Sequence, residues 1–167
     1  IMYVPKFDYI QSRIFSFFNR DTGTHNFQSD KAIESITSGG YFGKGIGEGT
    51  LKNRVPEAHT DYIISVISEE FGVVAIMLIL LLFLMFIYMV FKKINYEKDD
   101  KTKLVLIGCV SLILMQATIH VGVNIRLFPT TGMTLPFLSY GGSSIVSISI
   151  LSGIILNLTK RKIENYK

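Results

Sequence analysis

The fold is decided by 71-FGVVAIMLILLLFLMFIYMVF-91, a stretch without one charged side chain. As a helix rising about 1.5 Å per residue, such a stretch is about 30 Å long and matches the hydrocarbon core of a bilayer. Two more uncharged stretches of similar length follow, at 104–123 and at 137–158. The pattern therefore predicts an all-α fold, a polytopic transmembrane helix bundle with three spanning helices in this chain.

The composition excludes several other classes of protein. Of the 167 residues, 49% are apolar and 18% are charged, and the mean hydropathy is +0.39. This mixture is wrong for a soluble enzyme or a disordered regulator. The single cysteine, Cys109, lies inside the second apolar stretch and has no second cysteine to pair with, so a disulfide-built secreted module is excluded as well.

The positive charges are concentrated in two short segments. Five lysines lie in 92–103, and three lysines with Arg161 lie in 160–167, whereas residues 1–62 carry seven basic and seven acidic side chains. By the positive-inside rule, both basic segments are cytoplasmic. The net charge of +4 therefore indicates orientation in the membrane and no nucleic-acid partner. Binding of the basic tail to anionic lipids of the bilayer is a compatible interpretation.

Alternating spans divide the chain into segments. These are a large extracytoplasmic loop at 1–62, spans at 63–91, 104–123 and 141–159, a cytoplasmic loop at 92–103, an extracytoplasmic re-entrant loop at 124–140, and a cytoplasmic tail at 160–167. Since the chain begins with Ile1 and shows no signal-peptide pattern, we expect it to be the C-terminal part of a longer membrane protein.

The large loop contains two distinct patterns. Residues 9–23 place apolar side chains at helical spacing, which predicts an amphipathic helix on the outer leaflet. Residues 31–50 end in six glycines within eleven positions. Because glycine permits close approach of the backbone, this run suits a tight loop that folds over a ligand or packs against a neighbouring helix. A flexible extracellular linker is the alternative.

The segment 55-VPEAHTDY-62 has the residues of a helix start at the membrane interface. A partly desolvated carboxylate of Glu57 or Asp61 can serve there as a general base. On the residues alone, Asp61 is equally well explained as a helix N-cap, and His59 is better explained by an interfacial hydrogen bond. Metal binding by these three side chains is a further alternative, although their spacing does not match a closed zinc site.

Polar side chains also lie within or beside the apolar stretches. An ionised carboxylate inside a membrane is costly unless it is paired, so at least one of Glu69 and Glu70 is expected to face the bundle interior. There it binds either another helix or the substrate. Gln116 and His120 are four residues apart on one helical face, and hydrogen bonds between helices are the favoured interpretation.

The second loop, 124-NIRLFPTTGMTLPFLSYGGSS-144, is nearly as apolar as the spans, yet its prolines and glycines prevent a continuous helix. Irregular backbone at membrane depth requires burial in protein or a wet cavity, which predicts a re-entrant loop. If Gly141 and Gly142 form a tight turn with positive φ, a larger side chain would strain it. Groups expected to hold a phosphate or a sugar are the hydroxyls of Thr130, Thr131, Thr134, Ser139, Ser143 and Ser144 and the amides where Gly141-Gly142 open the last helix.

Two long motifs stand out: 43-GKGIGEGTLKNRVPEAHTDYIISVISEEFG-72 and 128-FPTTGMTLPFLSYGGSS-144. Both resemble the SEDS family of bacterial membrane proteins (shape, elongation, division and sporulation), and the resemblance extends over essentially the whole chain. TGMTLP at 131–136 is more similar to the cell-division branch of that family than to its elongation branch. The resemblance implies a bundle of ten transmembrane helices, of which this chain holds the large fourth outer loop and the last three helices.

The resemblance also implies an activity. Family members are peptidoglycan glycosyltransferases that polymerise lipid II, with a class B penicillin-binding protein transpeptidase and other divisome membrane proteins as partners. They act in the bacterial cytoplasmic (inner) membrane, for this branch at the division septum. The catalytic residue of the family is the aspartate of the PE-x-HTD motif, which is Asp61 here. The residues expected to bind substrate are Glu57, His59, Thr60, Arg126, Thr134, Ser139, Gly141, Gly142 and Ser143.

Such a reaction releases undecaprenyl pyrophosphate, whose negative charge needs a counterpart. The candidates are Lys44, Lys52, Arg54, Arg126, the first amides of the last helix, and a divalent cation, Mg²⁺ or Mn²⁺. The chain departs from the family at Thr131, where the division branch often has lysine, so no cationic role is expected at that position.

Two other functions are compatible with parts of the sequence. A lipid II transporter would use Glu69, Gln116 and His120 as a polar path across the membrane. A non-catalytic fragment would serve to dock a divisome partner. Against the transporter, the spans are otherwise free of charge and the polar groups are concentrated at the outer face.

Overall fold

The computed structural model describes residues 24–55 and 58–160, so the predicted amphipathic helix at 9–23 lies outside the described residues. The helices are α1 (Thr24–Gly39), α2 (Leu51–Arg54), α3 (Ile63–Tyr96), α4 (Asp100–Asn124) and α5 (Gly142–Thr159). Of these, α3, α4 and α5 are long and apolar enough to cross a membrane. The predicted all-α, multi-pass membrane fold is confirmed.

The spanning helices continue beyond the apolar stretches that predict them. Helix α3 ends at Tyr96 and α4 begins at Asp100, so only residues 97–99 separate them. Lysine and glutamate favour helix formation, which lets a helix extend from lipid into water. Asp99 then caps α4, because its carboxylate accepts hydrogen bonds from Lys101 N (3.4 Å) and Thr102 N (3.2 Å).

Helix α3 is broken at Gly72, where the backbone has φ 80° and ψ 178°. The glycine-rich loop, residues 40–50, packs against this break. It supplies the hydrogen bonds that the helix interrupts: Lys44 N to Glu69 O at 2.9 Å, Gly45 N to Glu70 O at 3.1 Å, Val73 N to Gly40 O at 3.0 Å, and Val74 N to Tyr41 O at 3.4 Å. The loop is therefore a packed part of the fold rather than a flexible linker.

The contact between loop and helix requires glycine on both sides. A Cβ at Gly72 would lie 2.2 Å from Tyr41 O, and a Cβ at Gly43 would lie 2.2 Å from Glu70 O. Both glycines also have positive φ, +80° and +78°, a region that residues with a side chain rarely adopt. Steric contact and backbone conformation thus select glycine independently.

Two buried clusters hold the helices together. The first joins α3, α4 and α5 at the end away from the glycine-rich loop, with Val90, Ile94, Leu106, Cys109, Val110, Ile113, Ile148 and Ile155. The second joins α1, α2, the turn before α3 and the end of α4, with Ala32, Leu51, Val55, Ala58, Tyr62, Val66 and Val123. The second cluster positions residues 58–62, which contain the predicted functional motif.

The outward faces of the spanning helices carry large exposed apolar side chains, such as Leu84 and Leu156. An apolar cavity of about 420 Å³ lies between α3 and α4 and extends to Phe128. Apolar surface of this kind is stable in contact with lipid or with other membrane helices. The helices thus carry the surface that a multi-pass membrane protein requires.

Candidate functional site

Asp61 lies in the turn before α3, and only 8% of its surface is exposed. A Cβ placed on Gly132 would lie 3.9 Å from Asp61 Oδ2, so the carboxylate faces the middle of the loop that joins α4 and α5. This loop comprises residues 125–141 and is called the α4–α5 loop below. The fold thus brings together two motifs that are far apart in the sequence.

The backbone around Asp61 is tied to the end of α4 and to the α4–α5 loop. Three consecutive carbonyl oxygens accept hydrogen bonds: His59 O from Tyr140 N at 3.1 Å, Thr60 O from Ser139 Oγ at 2.8 Å, and Asp61 O from Asn124 Nδ2 at 3.0 Å. These three hydrogen bonds fix the main chain of residues 59–61 and therefore the point from which the Asp61 side chain projects.

The sequence offered a role at the helix N-cap as the alternative for Asp61. The N-cap position of α3 belongs to Tyr62, which makes no side-chain cap hydrogen bond. The amide of Ser65, in the first turn, donates to Asn124 Oδ1 rather than to Asp61.

Several polar groups of the α4–α5 loop are hydrogen-bonded within the protein. Ser139 Oγ accepts from Leu135 N at 2.8 Å while it donates to Thr60 O. Thr134 Oγ1 and Ser144 Oγ are 2.5 Å apart and join the loop to the first turn of α5. The hydroxyls of Thr134 and Ser139, which the sequence suggested as substrate ligands, thus hold the loop in shape.

The expected strained turn at Gly141 and Gly142 is wrong. Gly141 has φ −172°, an extended conformation that any residue adopts, and Gly142 is the first residue of α5. A Cβ at Gly141 would lie 3.1 Å from Thr134 Cγ2, and one at Gly142 would meet no atom within 4 Å. The chain enters α5 from extended backbone, so no positive φ is needed there.

The remaining predicted site residues have different surroundings. Arg126 forms an ion pair with Asp30 of α1 rather than with the Asp61 carboxylate. His59 is exposed, Thr60 is half-buried, and Ser143 is exposed at the start of α5. Glu57 and the Lys52 side chain lie outside the described part of the chain.

Glu69 is the carboxylate that faces the interior, as expected for one member of the pair. It is 1% exposed and accepts hydrogen bonds from Lys44 Nζ (2.9 Å), Thr50 Oγ1 (3.1 Å) and Leu51 N (3.0 Å). Every one of these donors belongs to the glycine-rich loop or to the residue that follows it. Glu69 therefore anchors the loop, which is a role that neither of the expected alternatives included.

A polar cavity of about 180 Å³ lies beside this anchor. The charged residues that line it are Lys31, Glu34, Lys44, Arg54 and Glu69. Lys44 is bound to Glu69, and a hydrogen bond from Lys31 lowers the pKa of the exposed Glu34 carboxyl. Three cations and two carboxylates leave the cavity with an excess of one positive charge.

Gln116 and His120 make the hydrogen bonds expected of them, but to the α4–α5 loop. Gln116 Nε2 donates to Thr134 O at 2.9 Å, and His120 Nδ1 lies 2.8 Å from Met133 O. The sequence interpretation missed Asn124, although it continues the same spacing of four residues.

No group of three His, Cys, Asp or Glu side chains suited to a metal occurs among residues 24–55 and 58–160. At the site itself, the described carboxylate is that of Asp61, while the described histidine, His59, is exposed. Since Mg²⁺ is commonly held by one or two carboxylates together with substrate phosphates, a divalent cation at this site stays a prediction.

Three helices able to span a membrane, with a buried carboxylate facing the α4–α5 loop at one end of the bundle, define a polytopic membrane protein. The family model FTSW_RODA_SPOVE, described as "Cell cycle protein", matches residues 1–164. The chain belongs to this family, as the two sequence motifs predicted.

Curated relatives carry one consistent name. The chain is 36% identical over 161 residues to "Probable peptidoglycan glycosyltransferase FtsW" of Enterococcus hirae, with 95% of this chain and 41% of the relative covered. It is 38% identical over 157 residues to the protein of the same name from Caulobacter vibrioides (strain NA1000 / CB15N), with 93% and 40% covered. The chain thus spans about two fifths of the length of these relatives.

A solved structure shares the fold. It is described as "Structural coordination of polymerization and crosslinking by a peptidoglycan synthase complex" and superimposes with a TM-score of 0.74 at 23% sequence identity. The match covers 94% of this chain and 43% of that chain. The arrangement of the spanning helices and the loops between them is therefore that of a known membrane protein.

Proposed function

We propose that the protein is a peptidoglycan glycosyltransferase that polymerises lipid II, with Asp61 as its general base. The observation that carries the proposal is the buried Asp61 carboxylate, which faces Gly132 from a backbone that three consecutive main-chain hydrogen bonds hold in place. The names of the relatives support the class of reaction. Septal cell-wall synthesis during cell division is the proposed role, in the bacterial cytoplasmic membrane.

The chemistry needs one positioned base. The 4-hydroxyl of the acceptor sugar attacks the anomeric carbon of the donor, and undecaprenyl pyrophosphate leaves with inversion, which gives a β-1,4 linkage. The Asp61 carboxylate accepts the hydroxyl proton as the new bond forms. Gly132 supports this assignment, because a residue without a side chain leaves space in front of the carboxylate for a sugar hydroxyl.

The leaving pyrophosphate requires positive charge, and the described basic candidates differ in the partners that they already have. Lys44 is bound to Glu69, and Arg126 is bound to Asp30. Arg54 is exposed and has no ion-pair partner in the part of the chain that the structure describes. We therefore assign the interaction with pyrophosphate to Arg54, beside the polar cavity with its excess positive charge.

The exposure of each side chain near the site indicates whether it can contact the substrate. His59 and Ser143 are exposed around the site and can contact the sugar directly. Thr134 and Ser139 are bonded within the protein and hold the α4–α5 loop in shape. A class B penicillin-binding protein transpeptidase and other divisome membrane proteins are the proposed partners.

A lipid II transporter fits the structure less well. The side chains that would form its polar path are Glu69, Gln116 and His120. Each of them is hydrogen-bonded within the chain, to the glycine-rich loop or to the α4–α5 loop.

The test is polymerisation of lipid II by the full-length protein with its transpeptidase partner. Asp61→Asn keeps the shape of the side chain and removes the base, so glycan product is expected to disappear while membrane insertion and partner binding persist. Asp100→Asn, an exposed acidic residue at the far end of the bundle, is the matched control. Near-normal polymer from Asp61→Asn would refute the catalytic assignment.

A further inference from the structure

A stripe of three amide and imidazole side chains runs along α4. Gln116, His120 and Asn124 follow one another at intervals of four residues, which places them on one face of the helix. His120 and Asn124 are fully buried at 0% exposure. Polar groups this deeply buried need partners. The Asn124 amide and His120 Nδ1 have theirs on both sides of the proposed site, whereas His120 Nε2 has none in the described part of the chain.

Asn124 is inserted into the first turn of α3. The amide of Ser65 lies in the first turn of α3, where amides have no acceptor within the helix. The Asn124 side chain supplies that acceptor and also binds the residue before the N-cap, since Oδ1 accepts from Ser65 N at 3.2 Å and Nδ2 donates to Asp61 O at 3.0 Å. Helix α4 thus determines where the Asp61 backbone lies.

The remaining bonds of Asn124 fix the direction of its amide. Nδ2 also donates to His120 O at 2.9 Å, and Oδ1 also accepts from Ser65 Oγ at 2.8 Å. Both donor hydrogens and both acceptor positions of the amide are therefore used. Since two of the partners are carbonyl oxygens and one is a backbone amide, only one orientation of the amide satisfies them.

His120 holds the α4–α5 loop, on the other side of the proposed site. Its Nδ1 lies 2.8 Å from Met133 O, and because a carbonyl oxygen can only accept, Nδ1 carries the proton. Met133 follows Gly132, the residue that faces Asp61 Oδ2. One turn of α4 therefore fixes the base through Asn124 and the loop in front of it through His120.

We propose that Asn124 and His120 are positioning residues that set the distance between the Asp61 carboxylate and the α4–α5 loop. This inference rests on the proposed function of Asp61. Displacing a catalytic group by about 1 Å can lower the rate by about 100-fold even when binding is unchanged. Loss of these bonds is therefore expected to lower kcat and to leave KM for lipid II unchanged.

The first test is Asn124→Asp, measured as steady-state polymerisation of lipid II by the full-length protein with its transpeptidase partner. The substitution keeps the shape but replaces the two donor hydrogens with an oxygen that faces Asp61 O and His120 O. We expect kcat to fall about 100-fold with KM within a factor of two. Asn95→Asp, an exposed asparagine near the end of α3, controls for the added charge.

The second test compares His120→Asn with His120→Gln. The asparagine amide nitrogen occupies nearly the place of Nδ1 and can donate to Met133 O, whereas the glutamine nitrogen corresponds to Nε2. We expect His120→Asn to retain at least tenfold more activity per folded protein than His120→Gln. A merely structural role of His120 would not produce this order, since the larger glutamine fills more of the cavity.

The outcomes separate the two proposals. Activity in Asp61→Asn refutes the proposed function itself. If Asp61→Asn is inactive while Asn124→Asp has a normal kcat at normal abundance, the positioning role of Asn124 is refuted alone. If Asn124→Asp does not accumulate, the comparison at His120 decides, and equal activities of His120→Asn and His120→Gln refute the proposal.

Discussion

Lys44 and Glu69 form an ion pair between the glycine-rich loop and α3, with 2.9 Å between Nζ and Oε1. The other oxygen of the same carboxylate accepts from Leu51 N, directly after the loop. One carboxylate therefore binds the middle of the loop and its end, and so closes the loop against the helix. An ionised group in a helix that spans the membrane is explained here by a structural partner on the same chain.

Removing the charge of Glu69 is expected to weaken this closure. Glu69→Gln retains the side-chain length but loses the charged acceptor for Lys44 and for Leu51 N, so the free energy of unfolding should fall by about 1–3 kcal/mol. The measurement is thermal unfolding of the full-length protein in detergent. Glu48→Gln, an exposed residue of the same loop, should leave the midpoint unchanged. Equal midpoints for both variants would contradict the anchoring role.

Gly72→Ala is expected to release the glycine-rich loop. The new Cβ would lie 2.2 Å from Tyr41 O at a positive φ, and such strain costs about 1–3 kcal/mol. Trypsin should then cleave after Lys44 faster than in the parent protein, as followed by mass spectrometry of the purified protein. Gly108→Ala is the control, because no atom lies within 4 Å of its Cβ position. Equal cleavage rates in both variants would show that the loop does not depend on Gly72.

Gly141 and Gly142 should tolerate alanine to different degrees. Gly142→Ala meets no neighbouring atom, whereas Gly141→Ala would bring its Cβ to 3.1 Å from Thr134 Cγ2. Since neither position needs a positive φ, we expect full polymerisation from Gly142→Ala and a loss of a few-fold from Gly141→Ala, both at normal abundance. A severe loss of activity from Gly142→Ala would indicate that substrate lies directly against the first turn of α5.

The orientation in the membrane is predicted by the lysines of the segment 92–103. In whole spheroplasts, Lys98→Cys should react with a membrane-impermeant thiol reagent only after permeabilisation, while Glu48→Cys should react directly. Both positions are exposed, and the native Cys109 is buried, so background labelling should be low. Labelling of Lys98→Cys from outside would reverse the predicted topology.

The spanning helices were predictable because lipid imposes a length and a composition on every helix that crosses it. The break at Gly72 was not predictable in this way. It lies between Phe71 and Val73 in an uninterrupted apolar stretch, and hydropathy is the same whether the backbone there is helical or broken. Only the loop that replaces the missing hydrogen bonds reveals the break, and that loop lies in a separate, earlier segment of the chain.

The candidate site was predictable in its parts but not in its assembly. The residues of the PE-x-HTD motif and of the α4–α5 loop are both selected from the sequence, and Asp61 is singled out by family resemblance. Their adjacency depends on Asn124, which the sequence pattern places at the start of a loop and the structure places at the end of α4. The spacing of four residues places Asn124 on the same helical face as Gln116 and His120, but hydrogen bonds between distant segments leave no local pattern, so its partners could be found only in the folded chain.

The break at Gly72 also bears on how the protein is made. Its four interrupted backbone groups would each be costly in lipid without a partner. Their partners, from Gly40 to Gly45, precede Gly72 in the chain and so leave the ribosome before it. The groups that complete the helix are therefore already synthesised when α3 enters the bilayer. Because the glycine-rich loop precedes α3 in the gene, the nascent helix has partners available for its four unpaired backbone groups. A circular permutation that placed the loop after α3 would leave these groups without partners while α3 is inserted.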